Sequence, residues 1–112
     1  MLKLESTKRV YEFWKDDIAR ILIEIYDDTP DECVFTHLWV DETWRNKGYG
    51  KEVISEAEKE ASKLGCKNIY LKVETDSWIH QWYERHGYSN LSIDTEEPEF
   101  IWMIKSCKEI QI

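Results

Sequence analysis

The chain begins with two stretches in which apolar and polar side chains alternate. Residues 10–14 (VYEFW) combine aromatic and β-branched side chains, and residues 19–26 (ARILIEIY) place an apolar side chain at every second position. This period of two is typical of half-buried strands. Residues 15–17 (KDD) and 27–32 (DDTPDE) are rich in turn-forming residues, so we expect a turn after each strand.

The next segment, residues 33–40 (CVFTHLWV), is apolar in both alternating sets of positions apart from Thr36 and His37. Such a run predicts a strand that is covered on both faces. In an alternating strand His37 lies on the face opposite to Leu38 and Val40, and we interpret it as a core or interface histidine.

After residues 41–43 the spacing of apolar side chains changes to that of a helix. One helical face is apolar and the other is covered by Glu and Lys side chains, as expected for a helix packed on a sheet. Gly65 is in position to end this helix. The apolar face consists of Val53, Ile54, Ala57, Ala61 and Leu64.

The second half of the chain predicts a strand (67–73), a helix that starts at Asp76 or Ser77 and ends at Gly87, and two further strands (88–94 and 99–105). A strand, a helix and another strand in succession form a right-handed parallel crossover. The element order therefore predicts an α+β fold with two main helices and a mixed, mostly antiparallel sheet.

Composition and charge narrow the classes of function. The chain has 23 acidic residues, 15 Lys and Arg, and a net charge of −8, which argues against a nucleic-acid-binding surface. No apolar segment is long enough to span a membrane or to act as a secretory leader. The three cysteines are widely spaced, so neither a disulfide framework nor a metal site is expected. We therefore expect one cytoplasmic domain, residues 1–112, without a metal.

Residues 44–51 (WRNKGYGK) depart from this acidic background, because they contain Arg45, Lys47 and Lys51 and no acid. They lie where the first helix begins, and the N-terminal end of a helix favours anions rather than cations. A bound pyrophosphate would make the arrangement favourable, since both the free N–H groups and the cations would face negative charge. The alternative is a glycine-containing loop with ordinary surface Lys and Arg.

Several segments together resemble the GNAT superfamily of N-acetyltransferases. Residues 38–54 (LWVDETWRNKGYGKEVI) are similar to its signature, a strand ending L-x-V-[DN]-P, two or three further residues, and then [RQ]-x-x-G-x-[GA] at a helix start. Residues 82–88 (WYERHGY) are similar to the family's F-Y-x-x-x-G-F segment, and residues 100–106 (FIWMIKS) to its last strand. The resemblance implies the GNAT fold, with a central parallel pair of strands that splay apart, and an acetyl-CoA-dependent N-acetyltransferase.

The resemblance also implies where acetyl-CoA binds. In the family the pantetheine arm lies against the first splayed strand like an additional strand, and the pyrophosphate lies on the backbone at the helix start. Asp76 stands where many members have an Asn that contacts the pantetheine arm. The implied CoA-binding residues are Leu38, Trp39, Val40, Arg45, Asn46, Lys47, Gly48, Tyr49, Gly50, Lys51, Asp76 and Tyr83.

Two residues are implied to be catalytic. Tyr83 aligns with the tyrosine that commonly protonates the leaving thiolate of CoA, although an aromatic helix residue is also an ordinary core residue. Many members deprotonate the acceptor amine with a carboxylate on the first splayed strand. Strict alternation along this strand places Glu32 on the same face as Leu38 and Val40, and Glu32 is the one acid on that face. It is therefore the candidate base. The alternative is that Glu32 is a solvated turn residue.

The expected acceptor is a primary amine, such as a lysine side chain, a polyamine or another small cation, which attacks directly in a ternary complex. A usual GNAT domain has two helices before its second strand, and about nine residues precede residues 10–14 here, with 1–6 as a candidate first strand. An open acceptor site, or one completed by a second subunit or a protein substrate, is therefore expected. The alternative function is a CoA-binding or protein-interaction module without acetyl transfer.

Overall fold

The computed structural model describes residues 7–110, which form a six-stranded sheet with two α-helices on one face. The expected strand at residues 1–6 lies outside the described residues. The elements in chain order are β1 (Lys8–Lys15), β2 (Ala19–Tyr26), β3 (Glu32–Val40), α1 (Tyr49–Lys63), β4 (Asn68–Glu74), α2 (Trp78–Arg85), β5 (Ser89–Ile93) and β6 (Phe100–Ser106).

The strand order across the sheet is β1-β2-β3-β4-β6-β5. All neighbours are antiparallel except β3 and β4, which are parallel and are joined through α1. This arrangement confirms the predicted α+β fold with a mostly antiparallel sheet.

The parallel pair in the centre of the sheet is short. The three matched pairs of β3 and β4 are Glu32 with Asn68, Cys33 with Ile69 and Val34 with Tyr70. Beyond Val34 the two strands part, so a notch opens between them. The β3 edge that faces this notch has no strand partner among the described residues, and its backbone polar groups are available to a ligand.

A β-bulge in β3 lies beside this notch. Leu22 on β2 is opposite Thr36, whereas Arg20 is opposite Trp39, so two residues of β3 fit where one would be expected. His37 takes a left-handed conformation there, with φ of 57°. A bulge exchanges the faces of the residues that follow it. His37 is exposed, so its interpretation as a core histidine is wrong, and an interface role for it stays a prediction.

The core lies between the sheet and both helices. It is built from alternate residues of the strands, the apolar stripe of α1, and residues in and after α2. The largest side chains with almost no exposure are Ile21, Ile23, Ile25, Ile54, Ile69, Leu71 and Met103.

The opposite face of the sheet, which we call the open face, has no helix packed on it within residues 7–110. Val34, Thr36 and Trp39 lie on this face and are partly exposed. The prediction that residues 33–40 are covered on both faces is therefore wrong.

The helix ends follow the sequence prediction. Ser77 caps α2, since its hydroxyl accepts a hydrogen bond from the His80 N–H at 3.2 Å. Gly65 and Gly87, with φ of +95° and +94°, follow α1 and α2. Helices commonly end with a residue in the left-handed conformation, and this residue is usually glycine because glycine has no Cβ.

Candidate functional site

A pocket with a volume of about 730 Å³ lies beside the notch. It is enclosed by the end of β3, the start of α1 and one face of α2. Its lining residues are Leu38, Trp39, Val40, Trp44, Arg45, Asn46, Gly48, Gly50, Lys51, Trp78, Ile79, Trp82 and Arg85.

The start of α1 supplies unpaired backbone donors to this pocket. Gly48 precedes the helix with φ of +88°, a conformation that side chains with a Cβ disfavour. Its carbonyl accepts the Glu52 N–H at 3.1 Å, so the N–H groups of residues 49–51 come before the first helical hydrogen bond. A Cβ at Gly50 would lie 3.6 Å from the Trp82 ring. The turn therefore brings free N–H groups close to the pocket.

The pocket is cationic, although the chain as a whole is acidic. Arg45, Lys51 and Arg85 line it, and no Asp or Glu does. None of the three has a carboxylate within 4 Å in the part of the chain that the structure describes. The Arg45 Nε donates to the Val40 carbonyl at 3.0 Å, which holds the guanidinium at the end of β3. Unpaired cations at a helix N-terminus are stabilised by a bound anion.

Four tryptophans, Trp39, Trp44, Trp78 and Trp82, line the same pocket as the cations. Trp44 is 40% exposed and Trp78 is 74% exposed, which is unusual for such large apolar side chains. Trp78, Trp82 and Arg85 follow one another at a spacing of four and three residues and so lie on one face of α2. The sequence reasoning missed these residues, although their helical spacing was visible. Their aromatic rings suit an aromatic base and the guanidinium suits a phosphate.

The structure brings most of the implied CoA-binding residues together. Leu38, Trp39, Val40, Arg45, Asn46, Gly48, Gly50 and Lys51 line the pocket. Lys47, Tyr49, Asp76 and Tyr83 do not line it. The Tyr49 ring packs edge-on against Trp44 with ring centroids 5.8 Å apart, so it supports the pocket wall.

Asp76 has a left-handed backbone, with φ of 63°, and its N–H donates to His80 Nδ1 at 2.9 Å. The buried His80 ring therefore accepts at Nδ1, and its Nε2 lies 2.7 Å from Asn90 Oδ1 as the donor. The cap of α2 is Ser77 rather than Asp76. These contacts give both residues a structural part in fixing the start of α2.

Tyr83 is buried next to the pocket wall. Its ring lies 5.1 Å from that of Trp82 and 5.3 Å from that of Tyr88. The fully enclosed polar side-chain atoms without a partner within residues 7–110 are Arg20 Nε and Thr75 Oγ1. The Tyr83 hydroxyl has no hydrogen-bond partner among residues 7–110 and is not one of these enclosed atoms, so part of its surface is accessible within the described structure. Burial, with a contribution from the Glu58 charge, raises the pKa of Tyr83 and keeps the phenol protonated.

A buried ion pair supports this part of the core. Lys105 Nζ lies 3.1 Å from both Glu58 carboxylate oxygens and donates to the His86 carbonyl at 3.0 Å. The Tyr88 hydroxyl donates to Glu58 at 2.8 Å. Sequence reasoning missed Glu58, because one acid in a helix rich in Glu gives no sign that it is buried.

The reason for assigning Glu32 as the base is wrong. The bulge at His37 places Leu38 and Val40 on the helix side of β3, whereas Glu32 is on the open face. Glu32 is level with Asn68, two pairs before the strands part, and it does not line the pocket. Its carboxylate accepts a hydrogen bond from the Tyr70 hydroxyl at 2.9 Å.

Two other features were searched for within residues 7–110. No helix there is long and apolar enough to cross a membrane. No group of three or more His, Cys, Asp or Glu side chains is arranged to hold a metal ion among the described residues. All three cysteines are free and buried.

The splayed parallel pair and the cationic helix start define an α+β domain that can hold an elongated anionic ligand. The family model for the acetyltransferase (GNAT) domain matches residues 9–90. The chain therefore belongs to the GNAT family of acetyltransferase domains. No curated protein sequence matches it significantly.

Solved structures of this family share the fold. An acetyltransferase from Bacillus cereus has 22% identity and a TM-score of 0.68, with 95% of this chain aligned to 80% of that one. PaiA N-acetyltransferase from Thermoplasma acidophilum, in complex with coenzyme A, has 22% identity and a TM-score of 0.69, with coverages of 83% and 57%. The ribosomal-protein-S18-alanine N-acetyltransferase of Escherichia coli has 17% identity and a TM-score of 0.68, with coverages of 94% and 70%.

The chain spans less than two thirds of the length of several of these proteins, for example 57% of the Thermoplasma chain and 62% of Ard1 from Thermoplasma volcanium.

Proposed function

We propose that this protein is an acetyl-CoA-dependent N-acetyltransferase in which residues 1–112 form one catalytic domain. The observation that carries the proposal is the pocket at the start of α1, where Arg45, Lys51 and Arg85 lie without ionic partners beside free backbone N–H groups. A ligand with several phosphate groups satisfies this arrangement. The complex of Thermoplasma PaiA with coenzyme A supports the same assignment.

The proposed binding mode uses three parts of the pocket. The pantetheine arm lies along the unpaired edge of β3 near Leu38 to Val40, and the pyrophosphate lies on the N–H groups of residues 49–51 between Arg45 and Lys51. Arg85 and the tryptophans of α2 are then left for the 3′-phosphate and the adenine. Lys47 and Asp76 do not line the pocket, so we expect them to contribute less to affinity.

The proposed reaction is direct transfer to a primary amine. A free N–H at the β3 edge polarises the thioester carbonyl, and the neutral amine attacks its carbon. As the C–S bond breaks, the Tyr83 hydroxyl gives its proton to the leaving thiolate. The raised pKa keeps the phenol protonated at neutral pH, although it also makes Tyr83 a weaker proton donor than an ordinary phenol. The phenolate takes a proton back from solvent afterwards.

Binding is tested by isothermal titration with CoA and by the thermal shift that CoA produces. We expect Arg45→Glu to abolish the stabilisation by CoA without unfolding the protein. The matched control is Lys67→Glu, which makes the same change of charge as Arg45→Glu. Lys67 is exposed and lies just before the first residue of β4, and it does not line the pocket. Equal binding by wild type and Arg45→Glu would contradict the proposed site.

Transfer is tested by release of free CoA thiol from acetyl-CoA with a panel of amines. We expect Tyr83→Phe to lower kcat by about 100-fold while CoA affinity stays nearly unchanged. Normal turnover by Tyr83→Phe would show that another group is the acid. CoA binding without thiol release for any amine would favour the alternative, a GNAT-fold module that binds CoA without transfer.

The acceptor class, the partners and the location remain predictions. We expect a primary amine on a small molecule or a protein, a cytoplasmic protein and no nucleic-acid partner. A homodimer is tested by light scattering after gel filtration, and the cellular location by fractionation.

A further inference from the structure

The notch gives access to the acetyl donor from two sides of the sheet. The 730 Å³ pocket lies on the helix side, and the proposed donor fills it. The acceptor amine then approaches from the open face, where no helix within residues 7–110 covers the sheet. A group that removes the proton of the amine should therefore lie on the open face, next to the point where β3 and β4 part.

Glu24 on β2 meets these conditions. It is paired with Val34, the last residue of β3 that is matched to β4, so it is level with the closed end of the notch. Its side chain is on the open face and 12% exposed, and its Oε2 accepts a hydrogen bond from the Thr36 hydroxyl at 3.3 Å. Thr36 is the next residue on that face of β3, beyond the last pair. Oε2 thus lies on the side of Thr36 and the notch, while Oε1 lies on the side of Lys8 and Tyr26.

The same carboxylate already holds a lysine ammonium. Lys8 Nζ on β1 lies 3.3 Å from Glu24 Oε1 and 5.5 Å from the centre of the Tyr26 ring. The Tyr26 hydroxyl lies 3.4 Å from the same carboxylate oxygen. A carboxylate beside an aromatic face is a favourable seat for an alkylammonium group. The internal lysine shows which chemical class of ligand fits this position.

We propose that Glu24 binds the ammonium group of the acceptor and is the general base for the reaction, with Thr36 as a positioning residue and Lys8 as an internal competitor. The proposal rests on the acetyltransferase function proposed above. The ammonium gives one proton to the Glu24 carboxylate, directly or through one water, and the neutral amine then attacks the thioester carbon. Glu24 later loses this proton to solvent. Within residues 7–110, the charged and titratable groups in contact with it are Lys8 from β1 and Tyr26 from β2, and β3 presents the neutral Thr36. Glu32 lies on the same face of β3, two residues before Val34.

The first test compares Glu24→Gln with wild type in the thiol-release assay, with spermidine and a lysine-containing peptide as acceptors. We expect kcat/KM to fall about 100-fold, and the acidic limb of its pH profile to be lost. CoA affinity by titration should be unchanged, which shows that Glu24→Gln is folded and that the donor site is intact. Glu12→Gln is the matched control, because Glu12 is on the open face but pairs with Arg20 at 3.5 Å.

The second test uses Lys8→Met, which removes the internal ammonium group from the proposed acceptor-binding position and keeps an unbranched side chain. We expect a lower KM for both amines with little change in kcat, because the acceptor no longer competes with Lys8. A purely structural ion pair would instead give lower stability and an unchanged or higher KM.

The outcomes separate the two proposals. If wild type turns over and Glu24→Gln turns over equally well, or if Glu32→Gln is the variant that loses activity, the assignment of Glu24 is wrong and the acetyltransferase function stands. If wild type binds CoA but acetylates no amine in the panel, the proposed function fails and the assignment of Glu24 fails with it.

Discussion

The buried pair of Glu58 and Lys105 leads to a quantitative prediction of stability. The two side chains are 7% and 13% exposed, and they link the middle of α1 to the last strand. We expect Lys105→Met to destabilise the protein by about 3–5 kcal/mol, because it leaves a buried carboxylate without its cation. The Met side chain keeps most of the apolar stem of the lysine, so lost packing contributes little.

This loss is large compared with the free energy of unfolding of a domain of this size, which is about 5–15 kcal/mol. At about 4 °C per kcal/mol, the melting temperature should fall by roughly 12–20 °C. Removing both charges in Glu58→Met/Lys105→Met should recover about 2 kcal/mol of this loss, because no buried charge is then left unpaired. About 1–3 kcal/mol should remain, since the Tyr88 hydroxyl loses its acceptor.

The assay is urea unfolding followed by tryptophan fluorescence for wild type, both single variants and the double variant. The matched control is Lys15→Met, which breaks the ion pair between Lys15 Nζ and Glu56 Oε2 at 3.1 Å. The side chains of Lys15 and Glu56 are 29% and 42% exposed. We expect this control to cost less than about 1 kcal/mol. A loss of that size for Lys105→Met, or a double variant as unstable as the single, would refute the reasoning from burial.

Three further predictions concern the pocket and the acidic loop. Trp78→Ala should weaken CoA binding about tenfold in a titration, because stacking on a base contributes about 1–3 kcal/mol, and a change of less than twofold would contradict the stacking role. Gly48→Ala should cost about 1–2 kcal/mol in urea unfolding, because φ is +88° and no atom lies within 4 Å of the added Cβ, so the strain is conformational. The N–H groups of Glu97 and Glu96 lower the pKa of Asp94 to about 2, so its carboxylate stabilises the fold above about pH 4 and loses that contribution as the pH falls towards 2. Asp94→Asn should therefore destabilise the protein at pH 7 and make its stability less sensitive to pH between 4 and 2, and an unchanged pH profile would contradict this.

The boundaries of the strands and helices were predictable because their causes are local. Residues 19–26 alternate without a break and form β2 with the same bounds. Turn-forming residues separate the strands, and Asp16 and Asp17 take the left-handed conformation that a tight hairpin turn requires. Gly65 and Gly87 end the helices for the same conformational reason.

The features that sequence reasoning missed depend on partners far away in the chain. Glu58 is one of many acids in α1. It is buried because it binds Lys105 and Tyr88, which lie 47 and 30 positions further along the chain. From its sequence alone, the acidic segment 94–99 (DTEEPE) is a loop of strong negative charge. In the structure, however, Lys72 Nζ lies 2.8 Å from Glu97 Oε1 and 3.5 Å from Asp94 Oδ2. Part of the negative charge of this loop is therefore neutralised within the protein.

The bulge in β3 is the missed feature with the largest consequence for function. Without it, Thr36, Leu38 and Val40 would share one face, and the acceptor and the donor would meet the same side of the strand. With it, Leu38 and Val40 after the bulge face the pocket on the helix side, whereas Val34 and Thr36 before it lie on the open face. Val34 and Thr36 are the β3 residues beside the notch on the open face, and neither can take a proton from an ammonium group. The carboxylate that reaches Thr36 comes from β2, so one inserted residue moves the proposed proton acceptor to the neighbouring strand.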